Sequence, residues 1–320
     1  MDYGLDLAID DVPLHQARER LEQYRDLGYT SFWTAETSTD DAFTPLTMAA
    51  SYIPDIKIGT AIVPIFTRGP ALLAMSAASL ADLAPGRFTL GVGTSSVNIV
   101  NRWNGLPFVD PYKRARDTVR FLRRALTGER VEEEYETFTV KGFRLGRVPS
   151  VQPKLLLAAL RPGMLRLAGR EADGTVCTFT SADDMKKIAA EVGPGKDIVC
   201  KIFVCPHPDP DEFYARARRL VTTYLNVDVY AAFHEWLGRG EALTPMWEAW
   251  KAGDRKRALE VVPDEVIDEV FLHGTPEECW AGVQRYIDNG VTTPVIEVHP
   301  FGVDRHEGRV AMAPRDRLQP

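Results

Sequence analysis

Acids, hydroxyls and one unusual basic turn are the side chains here that could do chemistry, and most stand at the ends of short apolar runs. Asp6 and Asp10 close the first such run, Glu36 the second, and Ala61–Val63 the third. Thr94–Ser96 follow the fourth, Ala158–Arg161 the fifth and Thr178–Thr180 the sixth. Cys205 and His207 end the seventh, Glu297 and His299 the eighth. Glu36 suits a general base or a hydrogen-bond acceptor, and equally a helix-capping or salt-bridged carboxylate. His299 suits a substrate donor or a satisfied structural histidine. His234-Glu235 lacks the second histidine of a zinc helix, and the cysteines show neither CxxC nor cysteine–histidine metal spacing. Cys177 and Cys205 have no neighbouring base and read as core thiols.

Two turns suit an anion. LAALRPGMLRLAG leaves an apolar run and enters a helical one. Pro162 fits the first helical turn, Gly163 lets a ligand approach the backbone, and the N–H groups of Gly163, Met164 and Leu165 are left unbonded. Arg161 adds a charge-assisted contact. An ordinary strand–helix turn has the same spacing. GVGTSS, Gly91 to Ser96, has GxG but Ser96 where a dinucleotide fingerprint has its third glycine, so a tight turn explains it as well. Trp103, in the loop RWNGLPFVDP, either walls a pocket or covers the helix beneath it. The arginines of YKRARDTVRFLRRALTGER recur at helical spacing and read as a solvated face.

Strands and helices in alternation must position these residues. The pattern predicts strands at Tyr3–Ile9, Ser31–Glu36, Lys57–Val63, Arg87–Val92, Lys154–Ala158, Thr175–Phe179, Ile198–Cys205 and Pro294–His299. It predicts helices at Pro13–Leu27, Ala42–Tyr52, Pro70–Leu83, Tyr112–Leu126 and Pro276–Asn289, and others starting near Pro162 and Asp183. Val131–Arg147 reads as an inserted hairpin, and about 210–272 as a mainly helical insertion between strands seven and eight. KIGTAIV and PKLLLAA are apolar throughout, which marks parallel strands covered on both faces. Eight units without a linker favour one (β/α)8 TIM barrel over residues 1–320, with an open doubly wound sheet as competitor. In a barrel, the loops after the strand C-termini carry the site.

Charge and composition narrow the class. With 45 acidic and 38 basic residues, the net charge of −7 argues against broad nucleic-acid binding. The most apolar stretch, Ala71 to Ala84, contains Asp82 and is too short to span a bilayer. MDYGLDLAIDDVP carries acids where a signal peptide is basic, and the four cysteines read as reduced thiols. The expectation is a cytoplasmic protein acting on a small molecule.

Several long segments resemble the luciferase-like flavin and deazaflavin oxidoreductases, most of all the branch that uses coenzyme F420. They are Ile56 to Ser96, WNGLPF at 103–108, LAALRPGMLRLAGREADG at 157–174, VPDEVID at 262–268 and HGTPEECWAGVQRYIDNGV at 273–291. The resemblance implies a TIM barrel with an insertion near the seventh strand, homodimerisation, and a redox ring bound at the strand C-termini. It also implies a non-prolyl cis peptide at Ala61–Ile62 behind the ring. Ala158, Ala159, Gly163 and Met164 match the family's phosphate loop, and Thr94 and Ser95 match positions along the cofactor side chain. Trp103, Phe179 and His299 then shape the substrate side, and Glu36 contacts the ring or its side chain.

This sequence departs from the sugar-phosphate branch of that family. Glu36-Thr37 replaces an acid–histidine pair, Ser96 replaces a carboxylate, and Arg161-Pro162-Gly163 reverses the usual Gly-Pro-Arg order. The reading is F420-dependent hydride transfer to or from a small organic substrate. Its alternatives are an FMN-dependent monooxygenase, a hydrolase using Glu36 and Glu297 as a carboxylate pair, and a non-catalytic cofactor carrier.

Overall fold

A computed structural model describes residues 2–9 and 12–314, apart from the side chain of Asp211; Asp10 lies outside the described residues. Eight parallel strands close into a ring: β1 (Gly4–Asp6), β2 (Ser31–Thr34), β3 (Lys57–Thr60), β5 (Phe88–Gly93), β8 (Lys154–Ala158), β9 (Gly174–Cys177), β10 (Asp197–Pro206) and β12 (Thr293–Val298). Pairing of β10 with both β9 and β12 completes the ring and excludes the open sheet. A two-residue strand, β4 (Val63–Pro64), rejoins β5 just beyond β3. The antiparallel hairpin β6 (Val131–Glu134) and β7 (Thr139–Phe143) stands apart from the ring, in line with the inserted hairpin read at Val131–Arg147.

Around the ring lie α1 (Arg18–Asp26), α2 (Phe43–Tyr52), α3 (Pro70–Leu83), α4 (Pro111–Leu126), α5 (Pro162–Glu171), α6 (Asp184–Val192) and α12 (Pro276–Asp288). Proline opens α3, α4, α5 and α12, where its missing N–H costs nothing. A reciprocal capping box also fixes the start of α12. Glu278 N donates to Thr275 Oγ1 at 3.2 Å, and Thr275 N to Glu278 Oε2 at 2.8 Å. No helix among the described residues is long and apolar enough to cross a membrane.

The insertion comprises α7 (Pro210–Leu225), α8 (Asp228–Leu237), α9 (Gly240–Lys251), α10 (Arg255–Glu260) and α11 (Asp264–Val270). Its last residues correct the expectation of helix to 272. Phe271–Gly274 form β11, which runs parallel to Phe203–Pro206 of β10. β9 pairs only with Asp197–Cys200 of the ten-residue β10, so β11 covers an edge that would otherwise be bare. A four-residue segment leaves too little periodicity to reveal this. The final helix, α13 (Arg305–Ala311), returns to β1. Arg309, 2% exposed, donates from Nη2 to the Asp6 and Ala8 carbonyls at 3.1 and 2.9 Å.

Inside the ring, Trp33, Leu156, Val176, Val199 and Val295 form a plug. Glycine makes room for the indole: a Cβ on Gly59 would lie 2.3 Å from Trp33 Cζ3, and one on Gly4 2.8 Å from Cδ1. A second core joins Phe213, Val221, Leu243 and Ile267 of the insertion to Phe179 and Phe203 of the barrel. The insertion is thereby packed onto one side of the mouth.

Candidate active site

At the C-terminal end of β3 the ladder is interrupted. The Ala61–Ile62 peptide is cis, as the resemblance implies. Thr60 bridges the gap with its side chain, donating from Oγ1 to Gly91 O at 2.7 Å and accepting from Gly91 N at 2.9 Å. Ala61 N donates to Thr34 O, and Glu36 N to Ile62 O at 3.1 Å, so both flanking strands hold the turn. A Cβ on Gly93 would lie 3.0 Å from Ile62 Cδ1 and from Ala158 Cβ. Ala61, Ile62, Gly93 and Ala158 therefore converge into a floor of small apolar groups, with Ile62 and Ala158 half-buried.

Two strands away, α5 opens without a side-chain cap. Leu165 N already donates to Arg161 O, leaving Gly163 N and Met164 N outside the helical pattern. No atom lies within 4 Å of a Cβ built on Gly163, so the turn faces open space. Thr94 and Ser95 are half-buried between floor and turn, with Ser95 at φ 59°. Ala159 is buried and its N–H is spent on Val176 O. What it offers a ligand is its carbonyl.

Glu36 takes the salt-bridged, capping form of its two readings. Arg68 grips both oxygens, with Nη2–Oε1 2.6 Å and Nε–Oε2 3.3 Å, and Ala42 N donates to Oε1 at 3.2 Å beside the start of α2. Such a carboxylate holds its shape and is poorly placed to shuttle a proton. Trp103 lies in a single wide turn of π-helix, Asn98–Trp103, and is 55% exposed, which puts it on a rim and not in a packed wall.

Opposite the floor stands a cluster that strand-end reasoning found only in part. Lys201 Nζ meets Asp6 Oδ1 at 2.9 Å and Glu297 Oε2 at 2.8 Å. The Glu297 contact is ionic and leaves Oε2 without a well-directed hydrogen bond. Burial raises the pKa of Asp6, and Glu297 reinforces this while Lys201 opposes it. For Lys201, burial favours the neutral amine, but the two carboxylates overcome it and the ammonium is held well above its usual range. His299 Nε2 lies 3.5 Å from Glu297 Oε1. Burial, with Lys201 and Arg305, pushes its pKa down to about 3, so it is neutral at pH 7.

Aromatic rings cover this cluster. Phe179, at φ 56°, packs on Phe203, Tyr224 and Tyr230 with centroids 4.7, 4.9 and 5.2 Å away, and Phe203 packs on His299 at 4.6 Å. Tyr224 and Tyr230 both feel the charges of Lys201 and Glu297. The structure thus joins Asp6, Glu297, His299 and Phe179, and adds Lys201, Tyr224 and Tyr230. Lys201 sits mid-strand, and its signal was a lone lysine in the apolar run of β10. The tyrosines come from the insertion, and no local pattern aims them at the barrel. The four cysteines are buried, and burial pushes Cys205 up to about 11, as core thiols require.

Comparison with known proteins is consistent along the whole barrel. The family model for luciferase-like monooxygenases matches residues 4–293. The chain is 25% identical to the 5,10-methylenetetrahydromethanopterin reductase of Archaeoglobus fulgidus, over 95% of each chain. It is 27% identical to the F420-dependent glucose-6-phosphate dehydrogenase of Mycobacterium avium, over 74% of this chain and 71% of that one. The coenzyme F420 dependent tetrahydromethanopterin reductase of Methanopyrus kandleri shares the fold, with a TM-score of 0.78 at 21% identity and coverage of 98% and 97%. In sequence and in fold, the chain belongs to the luciferase-like monooxygenase family.

Proposed function

We propose that the protein is an F420-dependent oxidoreductase that moves a hydride between the deazaflavin and a small organic substrate. The observation that carries this reading is the continuity of two surfaces. The floor of Ala61, Ile62, Gly93 and Ala158 lies in the mouth that the uncapped N-terminus of α5 enters. A flat ring fits the first and a phosphate the second. Relatives named for F420 at 27% and 23% identity favour the deazaflavin over FMN. When bound, the coenzyme supplies or accepts the hydride.

The chain supplies everything else. Ala61 and Ile62 would back the ring, and Glu36 N and Thr34 O keep them in place. Thr94, Ser95 and the carbonyls of Ala158 and Ala159 would line the path toward Gly163, Met164 and Arg161, which would hold the phosphate. Asp6, held by Lys201 as Glu36 is by Arg68, would orient the substrate and not shuttle its proton. Phe179, His299 and the tyrosines exclude water above it. The hydrolase alternative needs two free carboxylates, but Glu36 is bound to Arg68 and Glu297 to Lys201.

Titration of the purified protein with F420 and with FMN, followed by fluorescence, tests the reading. Tighter binding of F420 is expected. Binding of FMN alone favours the monooxygenase, and binding of neither overturns the proposal. A second expectation concerns assembly: a homodimer, for which α3 supplies exposed Leu72, Met75 and Leu83.

A further inference from the structure

Phe179, the ring on which Tyr224 and Tyr230 pack, sits at φ 56°, a region that a bulky side chain enters only when its surroundings hold it there. The turn that follows supplies the hold. Tyr286 Oη donates to Thr180 O, Asn289 Nδ2 to Ala182 O at 2.7 Å, and Ser181 N to Asp184 Oδ2 at 2.7 Å. Asp184 N donates back to Ser181 Oγ at 3.2 Å.

The same Asp184 oxygen takes a second donor, and this one comes from the insertion. Arg239 Nη2 reaches Oδ2 at 2.8 Å, with Asp184 5% and Arg239 7% exposed. Arg239 stands two residues beyond α8, whose last carbonyl, Leu237 O, accepts from Lys187 Nζ of α6 at 2.8 Å. Near the other end of α8, Tyr230 lies against Phe179 with ring centroids 5.2 Å apart. One carboxylate oxygen thus fixes both partners of that ring contact. It holds the backbone beyond Phe179 directly, and the helix carrying Tyr230 through Arg239.

Stability alone does not account for the pair. Two charges taken this far out of water are commonly matched or bettered by apolar side chains of the same volume. Arg239 Nε goes to Glu269, but Nη1 is buried without a hydrogen-bond partner among the described residues. What the pair adds over an apolar contact is direction, because an oxygen shared by two donors restricts how α8 can sit against the turn.

Resting on the reading of this mouth as the substrate side, we propose that Asp184 and Arg239 are positioning residues for its aromatic wall. They set where Tyr230 and Tyr224 stand over Phe179, and with that the shape of the apolar group a substrate can present there.

Fluorine NMR of protein containing 3-fluorotyrosine tests this, with resonances assigned by Tyr224→Phe, Tyr230→Phe and Tyr29→Phe. Tyr29, bonded to Arg309 O and Met312 O, is the control. Asp184→Asn combined with Arg239→Met removes both charges, while the asparagine oxygen still accepts from Ser181 N. The Tyr224 and Tyr230 resonances should shift or broaden, that of Tyr29 should stay, and the urea midpoint should be at or above that of the parent protein. Arg239→Lys keeps the charge but not the fork that spans Asp184 and Glu269, so the same two resonances should move by less. It carries the test if the double variant does not fold. Unmoved Tyr224 and Tyr230 resonances overturn the proposal. So does a lower urea midpoint with all three resonances moving together, the mark of a merely structural pair. F420 affinity should match that of the parent, and its loss in the variants would also overturn the assignment. A parent that binds no F420 would sink the hydride-transfer reading and leave the wall to be decided by the resonances. Unmoved resonances in a protein that binds F420 would sink only this one.

Discussion

Lys201 and Glu297 meet across the β10–β12 ladder with Nζ 2.8 Å from Oε2, although the register sets Lys201 opposite Val295 and Glu297 opposite Phe203. The ammonium leans along the barrel axis toward the mouth, and Asp6 of β1 closes the group from the other side. Lys201→Met would leave two buried carboxylates facing each other. A loss of about 3–5 kcal/mol is expected from urea unfolding at pH 7, the usual cost of stranding a buried charge. The loss should shrink at pH 4, where protonation relieves the repulsion. An equal loss at both pH values would show that packing, and not charge, is what Lys201 provides.

Two buried histidines set the acid limit. His234 is fully buried with neither ring nitrogen hydrogen-bonded among the described residues, and burial holds it at about 3, as it does His299. Unfolding lets both take up protons at their ordinary 6.5. Their contribution is therefore complete above pH 6.5 and is lost as pH falls toward 3. The expected slope within that window is about 1 kcal/mol per pH unit for each histidine. Denaturant titrations from pH 7 to 4 should show it, and His234→Phe should remove about half of this contribution.

Gly59 is predicted to tolerate no side chain. A methyl there would enter the Trp33 ring at 2.3 Å, and neither β3 nor the plug can shift without breaking the ladder. Gly59→Ala should cost about 3 kcal/mol by thermal unfolding. Adding Trp33→Phe, which shortens the ring, should recover part of the melting temperature. No recovery would place the strain in the backbone instead.

The α5 turn should govern cofactor affinity. Gly163→Asp sets a carboxylate against the phosphate and should abolish F420 binding in a fluorescence titration. Arg161→Ala should weaken it by about 1–3 kcal/mol, the scale of one charged hydrogen bond. Unchanged affinity in both variants would move the phosphate to another turn.

Light scattering at micromolar concentration should give twice the 35.7 kDa chain mass. Met75→Asp, in the exposed apolar stripe of α3, should return the mass to that of one chain. A monomer before mutation contradicts the dimer.

Local chemistry was enough to place most of the barrel. The continuously apolar runs at Lys57–Thr60 and Lys154–Ala158 are strands because only a doubly covered parallel sheet can bury both faces. Pro162 and Gly163 announce the α5 turn because missing and exposed N–H groups are properties of single residues. What tertiary structure decided is who meets whom. Glu36 could not be told from a general base until Arg68, 32 residues on, closed over it. Lys201 reads in sequence as a misplaced charge, and only the closing of β10 against β12 and the return of β1 supply its two carboxylates. Tyr224 and Tyr230 are ordinary residues of α7 and α8 until the insertion packs its core onto Phe179 and Phe203. Periodicity reports which face of a segment is buried, within about a turn of helix or a few strand residues. The charge and ring partners of the site come from contacts that span up to 291 residues, from Asp6 to Glu297, and no local pattern encodes those.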